Sequence, residues 1–223
     1  LPVVLGFGIP FAVFVRMTWL TGDTRAPEVF LVMGRNSFAL RALAIVLTVF
    51  LALLVVFGRR LEDSRLVRFL SRVAGLGYAI PGAVIAIGIV VVVTWIDRRL
   101  FSTTEWLFGS GAGLLLSGSV IAILYGYQTR FLAVALNLLQ AGMTRIQPSL
   151  DSAARTLGAS PLRMLLSVHL PVLRGTLVAA ALLVFVDVVK ELPATLILRP
   201  FGFETLAVRV YQLASDEIGR AHV

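Results

Sequence analysis

Long apolar runs alternate with short arginine-rich islands along this chain, and the runs occupy residues 1–20, 37–58, 73–96, 107–127 and 172–189. Each is close to the roughly 20 residues that an α-helix needs to cross a bilayer. The alternation therefore predicts an all-α integral membrane protein, a helical bundle with about five transmembrane helices. The first run holds Pro10 and, near its far end, Arg16; the second holds Arg41 near one end, where a long side chain can reach the interface. The third opens with G-L-G-Y-A-I-P-G at 75–82, whose glycines and Pro81 allow a kink and close helix contact. The fourth contains G-S-G-A-G and S-G-S, small residues suited to close packing in a membrane. After the fifth, a Pro200/Gly202 turn precedes an amphipathic stretch with Leu206, Val208, Val210, Tyr211 and Leu213, predicted to lie along the outer surface.

The islands give the topology. Residues 21–36 are mixed in charge and predict a loop. Residues 59–72 carry five arginines against Glu62 and Asp63, which marks this loop as cytoplasmic. Residues 97–105 set Arg98 and Arg99 against two acids, and alternation puts them outside. From 128 to 173 the chain is less apolar, with Arg130, Arg145, Arg155 and Arg163 against Asp151 alone. That segment falls on the same side as 59–72, as two intervening spans require.

The composition, 58% hydrophobic and 14% charged, departs from the roughly 45–50% and 25% of soluble domains. With no cysteine, disulfides, thiol catalysis and cysteine metal sites are excluded. His169 and His222 are too far apart in sequence to suggest a metal motif or a triad, and the single lysine, Lys190, follows no glycine loop. No acid, base and nucleophile converge within the spans, so the sequence offers no catalytic residue, no metal site and no cofactor site. Any nucleotide hydrolysis belongs to another chain.

One polar stretch inside the cytoplasmic segment, residues 149–171, reads S-L-D-S-A-A-R-T-L-G-A-S-P-L-R-M-L-L-S-V-H-L-P. Ser149 stands where an N-cap belongs, and Asp151 follows in the first turn, where a carboxylate suits the helix dipole. Gly158 stands where a helix end needs left-handed backbone, and Ser160-Pro161 starts a second helix with proline in its first position. Leu162, Leu165, Leu166 and Val168 give that helix an apolar face, and Pro171 is expected to break or kink it. A DNA-binding helix-turn-helix is the competing reading of A-A-R-T-L-G-A-S, and the net charge of +8 suits it. The surrounding membrane spans argue against it, so no nucleic-acid partner is expected.

The same residues resemble the EAA loop of ABC-importer permeases, whose pattern is E-A-A, three residues, G, nine residues, I, one residue, L-P. Ala153, Ala154, Gly158, Val168, Leu170 and Pro171 fall in register with it, while Ser152 replaces the usual glutamate. With Ser149 as N-cap, that glutamate would close a capping box; its loss weakens the helix, and Asp151 is expected to compensate in part. The resemblance implies that the loop is a coupling helix seated in a groove of an ATPase subunit. Asp151, Ser152, Ala153, Ala154, Gly158, Val168, Leu170 and Pro171 would then be the ATPase-docking residues, the small side chains permitting close approach.

Over its whole length the chain resembles the ferric-iron type of ABC permease, in which each of two fused halves carries such a loop. The resemblance is strongest at 75–82, at 141–150 with the following loop, and in K-E-L-P-A-T-L-I-L-R-P-F-G-F-E-T-L-A at 190–207. It implies a type I importer fold, matched to the C-terminal half with the final span missing. Residues 1–217 would form the permease domain, and I-G-R-A-H-V at 218–223, which one frame of a widely used sequencing adapter encodes, a non-native tail. It further implies a bacterial inner-membrane location in contact with membrane lipid. The implied partners are a pair of ATPase subunits, a periplasmic or lipoprotein solute-binding protein and a second permease half. Thiamine, polyamine or sulfate are the competing cargoes, and a membrane-embedded enzyme or structural subunit the competing class. Asp187, Lys190 and Glu191 have the spacing of one helix face, and ionisable groups at membrane depth are candidates for the translocation path. Ferric ion prefers hard oxygen ligands, so Asp187 and Glu191 would be transient contacts, with Lys190 neutralising one of them.

Overall fold

A computed structural model describes residues 2–21, 26–62, 64–108 and 115–220, and among these it contains helices and turns with no strand. A π-helical turn, Val4–Gly8, leads into α1, Ile9–Thr21. The next helix, α2, spans Ala26–Leu61 and takes in most of the stretch expected to be a loop at 21–36. Its start, Ala26-Pro27-Glu28, puts proline in the first turn, where the missing N–H costs nothing, and no breaker follows before the apolar run.

Ser64 accepts a hydrogen bond from the Val67 N–H and so caps α3, Arg65–Leu76. A 3₁₀ turn, Gly77–Ala79, and Pro81 separate α3 from α4, Gly82–Phe108, and the two segments bend by 119° at this break. The G-L-G-Y-A-I-P-G stretch is thus a kink, as its residues predict. Gly77 also lies so close to the Thr129 carbonyl that any side chain there would collide with it. The G-S-G-A-G stretch lies outside the described residues. Immediately after it, buried Asp97 accepts hydrogen bonds from the N–H groups of Leu115, Leu116 and Ser117 and holds the entry to the next helix.

That helix, α5, runs Val120–Met143, well beyond the expected end of the fourth span at 127. Polar residues obscure its length: Gln128 and Arg130 find partners on other elements, and Thr129 on its own helix. Gln128 bonds to Thr48 and to the Ala44 carbonyl of α2, Thr129 to the Tyr125 carbonyl, and Arg130 to Glu191. Buried Ile123, Phe131, Leu136 and Leu139 make α5 the centre of the core, packed against α2, α4 and the helices that follow.

Two short helices come next, α6 at Pro148–Thr156 and α7 at Pro161–Met164. A π turn, Leu165–His169, joins α7 to α8, Leu170–Lys190, so the helix continues through Pro171 where a break was expected. Proline in a helix crowds the carbonyl four residues back, here Ser167, and the π turn widens the backbone at that place. The chain then forms α9, Pro193–Leu198, turns at Gly202 with φ +75°, and ends its described part in α10, Leu206–Arg220.

Among the described residues three helices are long and apolar enough to cross a membrane, lying within α2, α5 and the continuous Pro161–Lys190 helix. The bent α3–α4 pair makes a fourth if counted as one span, and Val4–Val13 adds a shorter apolar helix.

Candidate functional site

The loop at 149–171 is built much as its capping residues dictate. Its first helix starts two residues early, however: Gln147 rather than Ser149 is the N-cap and Pro148 the first residue, so Ser149 lies inside the helix. Proline's fixed φ suits that first position and displaces the expected serine cap. Asp151 does fall in the first turn. Gly158 has φ +77°, the left-handed conformation that ends α6, and the Ser160 hydroxyl accepts the Arg163 N–H to start α7. The result is two helices with a tight corner.

This element has two faces. Ser152, Ala153, Gly158 and Pro171 are exposed, and with them stand Leu150, Leu157, Leu162 and Leu166, of which Leu157 is 85% exposed. Four exposed leucines around a small-residue corner form an apolar surface. Val168 and Leu170 are half-buried at the edge, while Ala154, Met164 and Leu165 face the core.

Asp151 belongs to the inner face, at 8% exposure. The Arg60 Nε, at the end of α2, donates to Asp151 Oδ2 at 2.6 Å, and another Arg60 nitrogen donates to the Ile146 carbonyl at 2.8 Å. His169 Nε2 lies 2.9 Å from the other carboxylate oxygen. Burial by itself would raise the Asp151 pKa, but the hydrogen bonds and charges of Arg60 and His169 outweigh it and hold the carboxyl below its ordinary range. His169 is fully buried, its ring edge-on to Phe57 at 5.3 Å, with Nδ1 enclosed and without a partner. Neither Arg60 nor His169 was singled out by sequence. The lone acid of the segment was the usable signal, since a single carboxylate among four arginines invites a buried partner.

At the opposite end of α8, Asp187, Lys190 and Glu191 do not share one face. The helix stops at Lys190, and Glu191 turns inward to 5% exposure. Its partner is Arg130 at 3.0 Å rather than Lys190. Glu191 also accepts the Ala194 N–H at 3.1 Å, so it caps the start of α9. The Leu-Pro that follows ends the helix and frees the carboxylate to fold back, which simple helical spacing cannot foresee. Its backbone carbonyl accepts from Thr195, which in turn accepts from the Tyr127 hydroxyl at 2.6 Å. A side chain on Gly82 would collide with both Arg130 and Glu191. Asp187 is half-buried without an ion-pair partner among the described residues. It lines an open cavity of about 550 Å³ together with Tyr78, Ala133, Asn137 and Leu183.

Residues 44–214 match the model of the family described as binding-protein-dependent transport system inner membrane component. The Fe(3+)-transport system permease protein FbpB 2 of Haemophilus influenzae is 28% identical over 218 residues, 96% of this chain and 40% of that protein. A protein of Salmonella paratyphi A, provisionally named the 2-aminoethylphosphonate transport system permease protein PhnV, is 30% identical over 146 residues, 66% of this chain and 49% of its own length. Its namesake in Salmonella typhimurium is 29% identical over the same coverage. The chain thus spans less than half the length of these relatives. The chain belongs to the family of binding-protein-dependent transport system inner membrane components.

Proposed function

We propose that the chain forms one half of the permease of an ATP-driven importer of ferric iron, and that residues 149–171 receive the ATPase. The two-faced loop carries this reading. Its inner face is fixed to the bundle, while its outer face offers exposed leucines, Ala153 and a tight Gly158 corner in a chain of the importer family. Exposed apolar surface of that kind fits a protein partner. The permease makes and breaks no covalent bond; hydrolysis belongs to the paired ATPase subunits, a binding protein delivers cargo outside, and a second permease half completes the path.

The similarity to an Fe(3+)-transport permease over nearly the whole chain supports iron as cargo. Asp187 supports it on chemistry, because an unpaired carboxylate facing a cavity at membrane depth suits a hard cation. Lys190 and Glu191 flank it as further candidates for the path. The similarity to proteins named for 2-aminoethylphosphonate favours a second cargo, a molecule with an anionic and a cationic end. The two are separated by ATP-dependent uptake into vesicles holding the full transporter with its binding protein. Accumulation of ferric ion, with none of 2-aminoethylphosphonate, is expected; the reverse would replace iron with the phosphonate.

A further inference from the structure

Three side chains from three separate elements meet beneath the outer face of the 149–171 loop. Arg60 comes from the end of α2, Asp151 from the first turn of α6, and His169 from the π turn that leads into α8. We propose that Arg60, Asp151 and His169 form the joint through which movement of the loop is delivered to α2 and α8, as positioning residues that touch neither cargo nor ATPase. The inference rests on the docking reading above and names the part that passes motion inward.

The attachment is made at two points. Phe57 and Arg60 lie one turn apart on α2; the first packs edge-on against His169 and the second holds Asp151. A single contact would let the loop pivot, whereas two contacts a turn apart fix its orientation as well as its position. Arg60 further divides its donors between Asp151 and the Ile146 carbonyl, so α6 and the turn before it move as one piece. Charge-assisted hydrogen bonds of this length are about twice as strong as neutral ones. With His169 fully buried and Asp151 nearly so, little water can compete for them. None of the three is on the exposed face with Ala153, Leu157 and Leu162, so binding and transmission use different residues of the same short loop.

That separation gives the test. The chain contains no cysteine, so Leu183→Cys places a single reactive thiol in the cavity beside Asp187. The intact transporter, with both permease halves and ATPase, is labelled with a maleimide with and without ATP. In the otherwise native background ATP is expected to change the labelling rate. Adding Asp151→Asn should shrink that change at least fivefold while the amount of ATPase bound stays the same. If Asp151→Asn fails to accumulate, Arg60→Lys serves instead. It keeps the charge but lacks the fork that reaches both partners, and a twofold or greater loss is expected. An undiminished response in whichever variant is measured overturns the joint, as does loss of ATPase binding, which would put these residues in the docking surface. A native response that ATP leaves unaltered also overturns it. Leu157→Glu, on the outer face, checks the docking reading separately: it should release the ATPase, and full retention would refute docking there while leaving the joint to be judged by its own variants.

Discussion

Two arginine–carboxylate pairs hold opposite ends of α8, and their surroundings differ. At one end Asp151 is shared between Arg60 and His169 beneath the exposed face of the 149–171 loop. At the other end Arg130 and Glu191 meet where α8 stops, leaving no room for a side chain on Gly82. The first pair ties the loop to α2. The second replaces helix hydrogen bonds where α8 stops, since Glu191 also caps α9. Two pairs of similar burial are therefore put to different uses, one holding a loop to a span and the other bridging a break between helices, and mutation should separate the two roles.

The largest effect is expected at the Arg130–Glu191 pair. Arg130→Leu leaves Glu191 buried and uncompensated, at a cost of about 3–5 kcal/mol. Thermal melting in detergent and the amount of protein in the membrane measure it. Arg130→Leu with Glu191→Leu should recover much of the loss, because the unpaired charge is gone; no recovery would mean that the cap on α9 dominates. Asp151→Asn should cost less, about 1.5–3 kcal/mol, the worth of hydrogen bonds to a charged group. Its pH dependence has a definite sign. The Asp151 pKa is lowered in the folded state by Arg60 and His169, so its stabilisation is present above the ordinary value of about 3.9 and is lost as pH falls below it toward the lowered one. Hydrogen exchange in residues 148–170 should rise in that acid range for the native chain and lose the dependence in Asp151→Asn. Gly158→Ala, with left-handed backbone and open space around it, should cost about 1–2 kcal/mol and weaken ATPase co-purification. Asp187→Asn should shift stability by no more than about 0.5 kcal/mol yet reduce ferric uptake per assembled transporter. Unchanged uptake would remove Asp187 from the path.

Sequence made some of this plain and hid the rest for physical reasons. The corner of the loop was legible because Gly158, Ser160 and Pro161 each have one strong local preference, and all three act as read. The kink at 75–82 was legible on the same grounds. The length of α5 was not, because Gln128 and Arg130 look like a loop until their partners on α2 and at the α8–α9 break are in place. Asp151 was noticed for its helix position, but its pairing reaches back to Arg60, 91 residues earlier, and no local pattern reports such a distance. Glu191 was assigned to a helix face by a spacing rule that fails once the helix ends at Lys190.

The π turn before α8 has a consequence in terms of helical phase. The buried stripe from Leu165 through His169, Leu173, Ala180 and Val184 to Val188 advances by mostly four residues per turn. In an unbroken helix of 3.6 residues per turn that stripe would wind roughly 0.4 turn around the axis, and Leu165 would no longer face the bundle. The wide turn takes up most of the difference. Loop and span are thereby set on independent angular scales: adding or removing one residue between 165 and 169 would rotate everything on the loop side by about 100° relative to α8. Such a change would leave every apolar run intact and turn Asp151, on the loop side of the joint, away from Arg60 and His169.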